Sequence, residues 1–276
     1  VRDITYYFCL LPAIITISAC SHKKKPGNRT DTLATLVSPA TISTDTITYA
    51  NESLRAQDTL RKDEQGNYDY SQLNYPAFKT LPALNREIEK AMLNSLGDEK
   101  PAGQSFKAYF DEYQKSFAEP DSSDTENIHA STLDLNISVS LQAANLVVLT
   151  WSEETSGGTH PNTNTGFINW NPKTDRRITL NDILINDHTT GLNKVAESIF
   201  RKDAKLGPRA PLTNYNFDNG EFALNNNFEI TEKGLRFYYN SYEIQAYAYG
   251  PTELLVPYSS IKHLLRPNTV VTQFIK

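Results

Sequence analysis

Leu133-Asp134-Leu135-Asn136-Ile137-Ser138-Val139-Ser140-Leu141 alternates apolar and polar residues without a break. Side chains of a strand point to opposite faces in turn, so this run reads as a strand with one dry and one wet face. Leu146-Val147-Val148-Leu149-Thr150-Trp151 follows after four residues and is rich in Val and Leu. It reads as a second strand, buried on both faces, with Gln142 to Asn145 as the hairpin turn. Phe167 to Trp170 reads as a third strand, Asn171-Pro172-Lys173-Thr174 as a turn, and Arg177 to Leu180 as a return strand. A hinge is expected near Thr155–Thr165, between two halves.

On either side of this block the period changes from two to about 3.6. Pro82 to Leu96 places Leu84, Ile88, Ala91 and Met92 on one helical face, with Pro82 in the first turn. Ser105 to Ala118 carries the stripe Phe106, Tyr109, Phe110, Tyr113 and Phe117, which reads as core packing. Leu192 to Lys202 repeats the pattern with Leu192, Val195, Ala196, Ile199 and Phe200; Thr189 or Thr190 is the expected cap. Asn227 to Ile230 and Leu235 to Tyr239 pair around Glu232-Lys233-Gly234, and Glu253 to Val256 reads as the last strand. Runs of strands with isolated helices define an α+β chain. The sheet is expected to be mainly antiparallel, with helices packed on one side and two sub-domains in tandem.

The first residues read as an address. An apolar stretch from Ile4 to Ile17 has the length of a signal-peptide core and ends in Ile17-Ser18-Ala19-Cys20. This resembles the bacterial lipobox, in which the cysteine thiol accepts a diacylglyceryl group. The resemblance implies a signal peptide over 1–19, lipidation at Cys20 and a tether over 20–45, whose Lys23, Lys24, Lys25 and Arg29 stand beside the lipid. The expected location is the cell envelope, on the outer membrane facing the periplasm. The two cysteines are Cys9 and Cys20, so a disulfide scaffold and a cysteine-ligated metal are excluded from the body.

The 276 residues are 39% hydrophobic and 21% charged, with a net charge of −5. That is too apolar for a disordered chain. Residues 1–40 carry five Lys/Arg against two Asp, which leaves the remainder at −8. So acidic a body argues against nucleic acid as a partner and permits a basic protein.

Ser156-Gly157-Gly158-Thr159-His160-Pro161, Thr165 to Trp170, Thr179 to Leu184, Phe228 to Leu235, Tyr242 to Gly250 and Leu254 to Ile261 together resemble the family DUF3298. Tyr75-Pro76 and the helix after it resemble, more loosely, the companion domain DUF4163. The resemblance divides the body into a DUF4163-like region at 46–155, a DUF3298-like domain at 156–266 and a C-terminal tail at 267–276. It implies an envelope-facing unit, similar to the sensing domain of lysozyme-binding anti-sigma factors. It is also similar to the non-catalytic part of some peptidoglycan deacetylases. The partners it implies are a lysozyme-like protein or a cell-wall glycan.

The residues offer two candidate elements for such binding. His160 follows Gly157 and Gly158, where the backbone can approach a ligand closely. Tyr239, Tyr242, Tyr247 and Tyr249 surround a polar loop, and tyrosine supplies a stacking face with a hydroxyl; the last three are the candidate contacts. A binding module at these residues is the leading reading. One rival is an envelope polysaccharide hydrolase using His160 with a carboxylate such as Glu153, Glu154 or Asp182. The other is a structural or assembly lipoprotein. No two of the five histidines stand three to five residues apart, so neither a metal site nor a cofactor is expected.

Overall fold

The computed structural model describes residues 47–60, 62–96, 105–116, 130–156 and 160–275. The signal peptide, Cys20 and the tether lie outside the described residues.

Six strands form one sheet in chain order: β1 (Ala50–Gln57), β2 (Tyr70–Ala77), β3 (Thr132–Ala143), β4 (Leu146–Ser156), β5 (Asn162–Asn171) and β6 (Arg176–Arg177). Every neighbouring pair is antiparallel except β2 and β3, which run parallel from Tyr70↔Thr132 to Asn74↔Asn136. The connection between those two passes through α1 (Pro82–Ser95) and α2 (Phe106–Ser116). A parallel neighbour requires such a crossover, since a tight turn returns the chain antiparallel. A second sheet holds β7 (Phe228–Ile230), β8 (Gly234–Tyr239) and β9 (Thr252–Pro257), all antiparallel. The chain is α+β with mainly antiparallel pairing.

β4 is the wall between two cores. Leu146, Val147, Val148 and Leu149 are all fully buried. Val147 and Leu149 join Leu84, Ile88, Met92, Phe106 and Phe110 from α1 and α2. Leu146 and Val148 join the opposite core, with Phe228, Ile230, Leu235 and Phe237 of the small sheet. That core also takes Leu192, Ala196 and Phe200 from α4 (His188–Asp203). Each core thus has its own helices, and β4 supplies both by simple alternation. Full burial of each such side chain contributes about 1.5–3 kcal/mol.

β3 reaches both cores by a different route. Its pairing shifts from Val139↔Leu149 to Leu141↔Val148, so Ser140 is an extra residue. The bulge turns the alternation over: Val139 packs with the first core and Leu141 with the second. An unbroken two-residue period would have put both on one face. Ser140 uses its position to donate a hydrogen bond to Glu229 Oε1 at 2.7 Å.

Three local expectations are corrected. The Thr155–Thr165 segment is a hairpin rather than a hinge, with pairing out to Thr155↔Asn162. The return strand is only β6, because Thr179 and Asp182 form a capping box that starts a short helix, α3 (Leu180–Ile183). α4 begins at His188, after Asp187 in a left-handed conformation (φ 59°), so Thr189 and Thr190 lie inside it. The segment after 266 is docked: it forms a 3-10 turn at Val270–Phe274, Val271 is fully buried, and Phe274 stacks on Tyr258.

Side-chain amides close the places where backbone pairing stops. Asn85 bonds both the N–H and the carbonyl of Phe78, just beyond β2. Gln114 does the same for Gln57 at the end of β1, and Gln142 for Ile47. Asn169 does it in the interior. β8 bonds the backbone of Asn227 and Thr231, so the Phe228 carbonyl and Ile230 N–H face the open edge of β7. The Asn169 amide donates to the first and accepts from the second, both at 2.8 Å. The small sheet therefore docks its edge against β5 through a side-chain amide that pairs two of the peptide groups facing the seam.

Candidate functional site

His160 stands just before β5, at the tip of the β4–β5 hairpin. The tyrosines come from the loop between β8 and β9. That loop is lashed to β5 by a fifth amide clamp: Asn240 accepts from Thr165 N–H at 2.7 Å and donates to Thr165 O at 3.1 Å. Asn227 donates to the same carbonyl, and the Glu243 carboxylate accepts from Asn240 N–H and from Asn225. Ile244 is buried beneath the loop, and its carbonyl accepts from Asn216 N–H. Tyr242 has a positive φ of 69°, which turns the chain so that its ring lies over the hairpin tip.

Three of the predicted residues meet there. The His160 and Tyr247 rings stack at 4.0 Å between centroids, 19° from parallel. Tyr242 lies 5.4 Å from Tyr247, and its hydroxyl is 3.1 Å from His160 Nε2. The Tyr247 hydroxyl donates to Pro161 O at 2.6 Å, and His160 Nδ1 lies 3.3 Å from the same oxygen. A carbonyl only accepts, so in neutral His160 the proton sits on Nδ1 and Nε2 accepts from the Tyr242 hydroxyl. Both ring nitrogens are thereby engaged. His160 and Tyr242 remain open to solvent, with Tyr242 53% exposed. Tyr249 lies on the same turn, Tyr247–Tyr249, and is 73% exposed. It makes no ring contact with the stack among the described residues. Gly157 and Gly158 lie outside the described residues.

The carboxylates weighed for hydrolysis have other surroundings. Asp182 bonds Arg176 and the N–H and hydroxyl of Thr179. The Arg176 hydrogen bond, with help from Thr179, holds its carboxyl down at about 2. Glu153 is a buried residue of β4, opposite Leu135 and Asn164. The hydrogen bonds seen at His160 go to a phenol and a peptide carbonyl, with no carboxylate among these partners. No group of three or more His, Cys, Asp or Glu able to hold a metal occurs among the described residues. No helix among them is long and apolar enough to cross a membrane.

His160 and the tyrosine cluster were separately legible in the sequence. Asn240, Asn227 and Pro161, which bring them together, were not singled out. Asparagine at strand ends and turns is too common a signal to name a partner 60–75 residues away.

The fold that carries this site is a six-stranded sheet whose β4 separates two cores, the second of them shared with the small sheet. Residues 153–259 match the family DUF3298, described as a protein of unknown function. The matched segment runs from the end of β4 to the turn after β9 and contains His160, Tyr242, Tyr247 and Tyr249. Two crystal structures are similar. One is a member of the DUF3298 family from Bacteroides fragilis NCTC 9343, with 22% identity over 82% of this chain and 97% of that one, and a TM-score of 0.63. The other is a DUF3298 family protein from Pseudomonas aeruginosa PAO1, with 23% identity over 86% and 96%, and a TM-score of 0.63. At these identities the likeness is one of fold. No curated protein matches the chain.

Proposed function

We propose that this chain is a lipid-anchored binding protein of the cell envelope, and that His160, Tyr242, Tyr247 and Tyr249 form its contact face for a glycan ring. The observation that carries the reading is the exposed stack itself. Three rings from two loops, more than 80 residues apart in sequence, are assembled on the surface rather than in a core. A stack left in water forgoes the burial that aromatic side chains usually gain. Such a platform suits a sugar, whose ring offers a flat C–H face to the aromatic surface and hydroxyls to Tyr242 and Tyr249. Anchoring through Cys20 would hold this face near the cell wall.

The negative charge of the chain favours a second ligand for the same face, a basic lysozyme-like protein. One experiment separates the two. The purified chain is titrated with soluble peptidoglycan oligosaccharides and, separately, with lysozyme, each with wild type, Tyr247→Ala and Tyr242→Ala. Saturable glycan binding that either substitution weakens by about tenfold or more supports the proposal, as expected for loss of a stacking contact worth ~1–1.5 kcal/mol. Binding of lysozyme alone would replace the glycan by a protein. Binding of neither would reject the face as a ligand site.

A further inference from the structure

At the opposite end of β4, roughly 33 Å from the hairpin tip, lies a cleft of about 470 Å³. Its walls come from three separate parts of the chain. The β3–β4 turn gives Ala144 and Asn145, the β5–β6 turn gives Asn171, Lys173 and Thr174, and the C-terminal segment gives Asn268 to Val270 and Gln273. Ile178 and Ile183, both buried, form an apolar floor.

The cleft is held open by bonds across long sequence separations. Gln273 accepts from Ala144 N–H and donates to Ala144 O, 129 residues away. Thr269 and Thr272 form a capping box that sets the C-terminal wall. Asn145 and Asn268 both sit in left-handed conformations, at φ 56° and 58°. The Asn171 carboxamide oxygen accepts from the N–H groups of Lys173 and Thr174 and fixes the β5–β6 turn.

The charges in the cleft do not cancel. Arg176 is paired with Asp182, whose carboxyl it keeps ionised. Among the described residues Lys173 has no ion pair, so the side chains that line the cleft carry one surplus positive charge on a chain of net −5. Asn145, from the β3–β4 turn, and Asn268, from the C-terminal segment, line the same cleft. An ammonium, two amides and an apolar floor complement a small molecule with one carboxylate, some hydroxyl or amide groups and an apolar face.

We infer that this cleft is a second binding site, separate from the aromatic face, for a small polar monocarboxylate. Two kinds of molecule carry that chemistry: an acidic sugar and the free carboxyl terminus of a short peptide. The inference does not depend on the aromatic face and has its own test.

The purified chain is titrated by calorimetry and by amide NMR with galacturonate, N-acetyl-alanyl-alanine and, as the uncharged control, galactose. The expected result is saturable binding of one or both carboxylates, with shifts at Asn145, Lys173 and Thr269 and none for galactose. Lys173→Met should weaken it by roughly 10–100-fold, the loss of one charge-assisted hydrogen bond, whereas Lys173→Arg keeps most of it. Lys173 is exposed on a turn, and an unchanged melting temperature verifies that each variant is folded. Tyr247→Ala should leave this binding intact. Failure of both carboxylates to saturate by about 10 mM, a Kd range of under 3 kcal/mol, would overturn the inference. Equal affinity in Lys173→Met would also overturn it. Which carboxylate binds decides between sugar and peptide.

Discussion

Replacing Asn169 should break the seam between the two sheets. Asn169 is 2% exposed, and its amide is the partner of both the Phe228 carbonyl and the Ile230 N–H. Ile230 is fully buried and Phe228 nearly so. Asn169→Val keeps the volume close and removes both bonds, leaving two backbone groups without a partner in a dry place. Each such group costs about 1–3 kcal/mol, and the added apolar burial of valine returns only about 1 kcal/mol. The net loss is about 3 kcal/mol, a large part of the ~5–15 kcal/mol that holds a domain of ordinary stability. Asn169→Asp gives a sharper test because its shape is the same. An ionised carboxylate can accept from Ile230 N–H but turns an oxygen toward the Phe228 carbonyl. Once protonated it can donate to that carbonyl and restore the pattern. Its pKa in the folded chain is therefore raised, the native state binds more protons than the unfolded one, and stability falls as pH rises through that range. Urea denaturation followed by the fluorescence of Trp151 and Trp170 measures both effects. The difference between wild type and Asn169→Asp should narrow as pH is lowered from 7 toward the carboxylate range. If Asn169→Val lies within 1 kcal/mol of wild type, or if the Asn169→Asp difference does not change with pH, the seam is not built on this amide.

Three further outcomes are expected. Asp182→Ala should cost about 1 kcal/mol at neutral pH, because the residue is partly exposed and solvent screens its pairing with Arg176. Since its folded pKa lies near 2 against 3.8 unfolded, that contribution is present above 3.8 and fades as pH falls toward 2, which a pH series of denaturation midpoints will show. Gly166→Val should destabilise by about 1–3 kcal/mol and shift tryptophan emission: a Cβ at Gly166 would lie 2.3 Å from the Trp151 ring, so the indole must leave its place. Cys20→Ser should move the protein from the membrane to the soluble fraction, read by detergent-phase partitioning of cells expressing the full chain; unchanged partitioning would reject the lipid anchor.

The helices were legible because their packing is local in sequence: Leu84, Ile88 and Met92, or Leu192, Ala196 and Phe200, announce a buried face by spacing alone. The double burial of Leu146 to Leu149 was legible for the same reason. The bulge at Ser140 was not, since Leu133 to Leu141 keeps a perfect two-residue period and only the partner strand shows the extra residue. The parallel pairing of β2 with β3 depends on a crossover of more than fifty residues, which no local pattern records. Thr179 to Asp182 carried a readable capping box, yet the alternation of Arg177 to Leu180 suggested a strand; tertiary packing of Ile183 against the second core decided for helix. At the site, residue types gave His160 and the tyrosines, while the geometry that joins them rests on asparagine clamps between distant segments.

The ring signals of His160, Tyr242 and Tyr247 offer the most direct check on a glycan-binding role. Followed by NMR while a soluble peptidoglycan oligosaccharide is added to the full chain, they should shift together along one saturation curve, and Tyr242→Ala should flatten that curve. Shifts confined to other residues, or ring signals that stay fixed while the sugar binds, would contradict the assignment of this face.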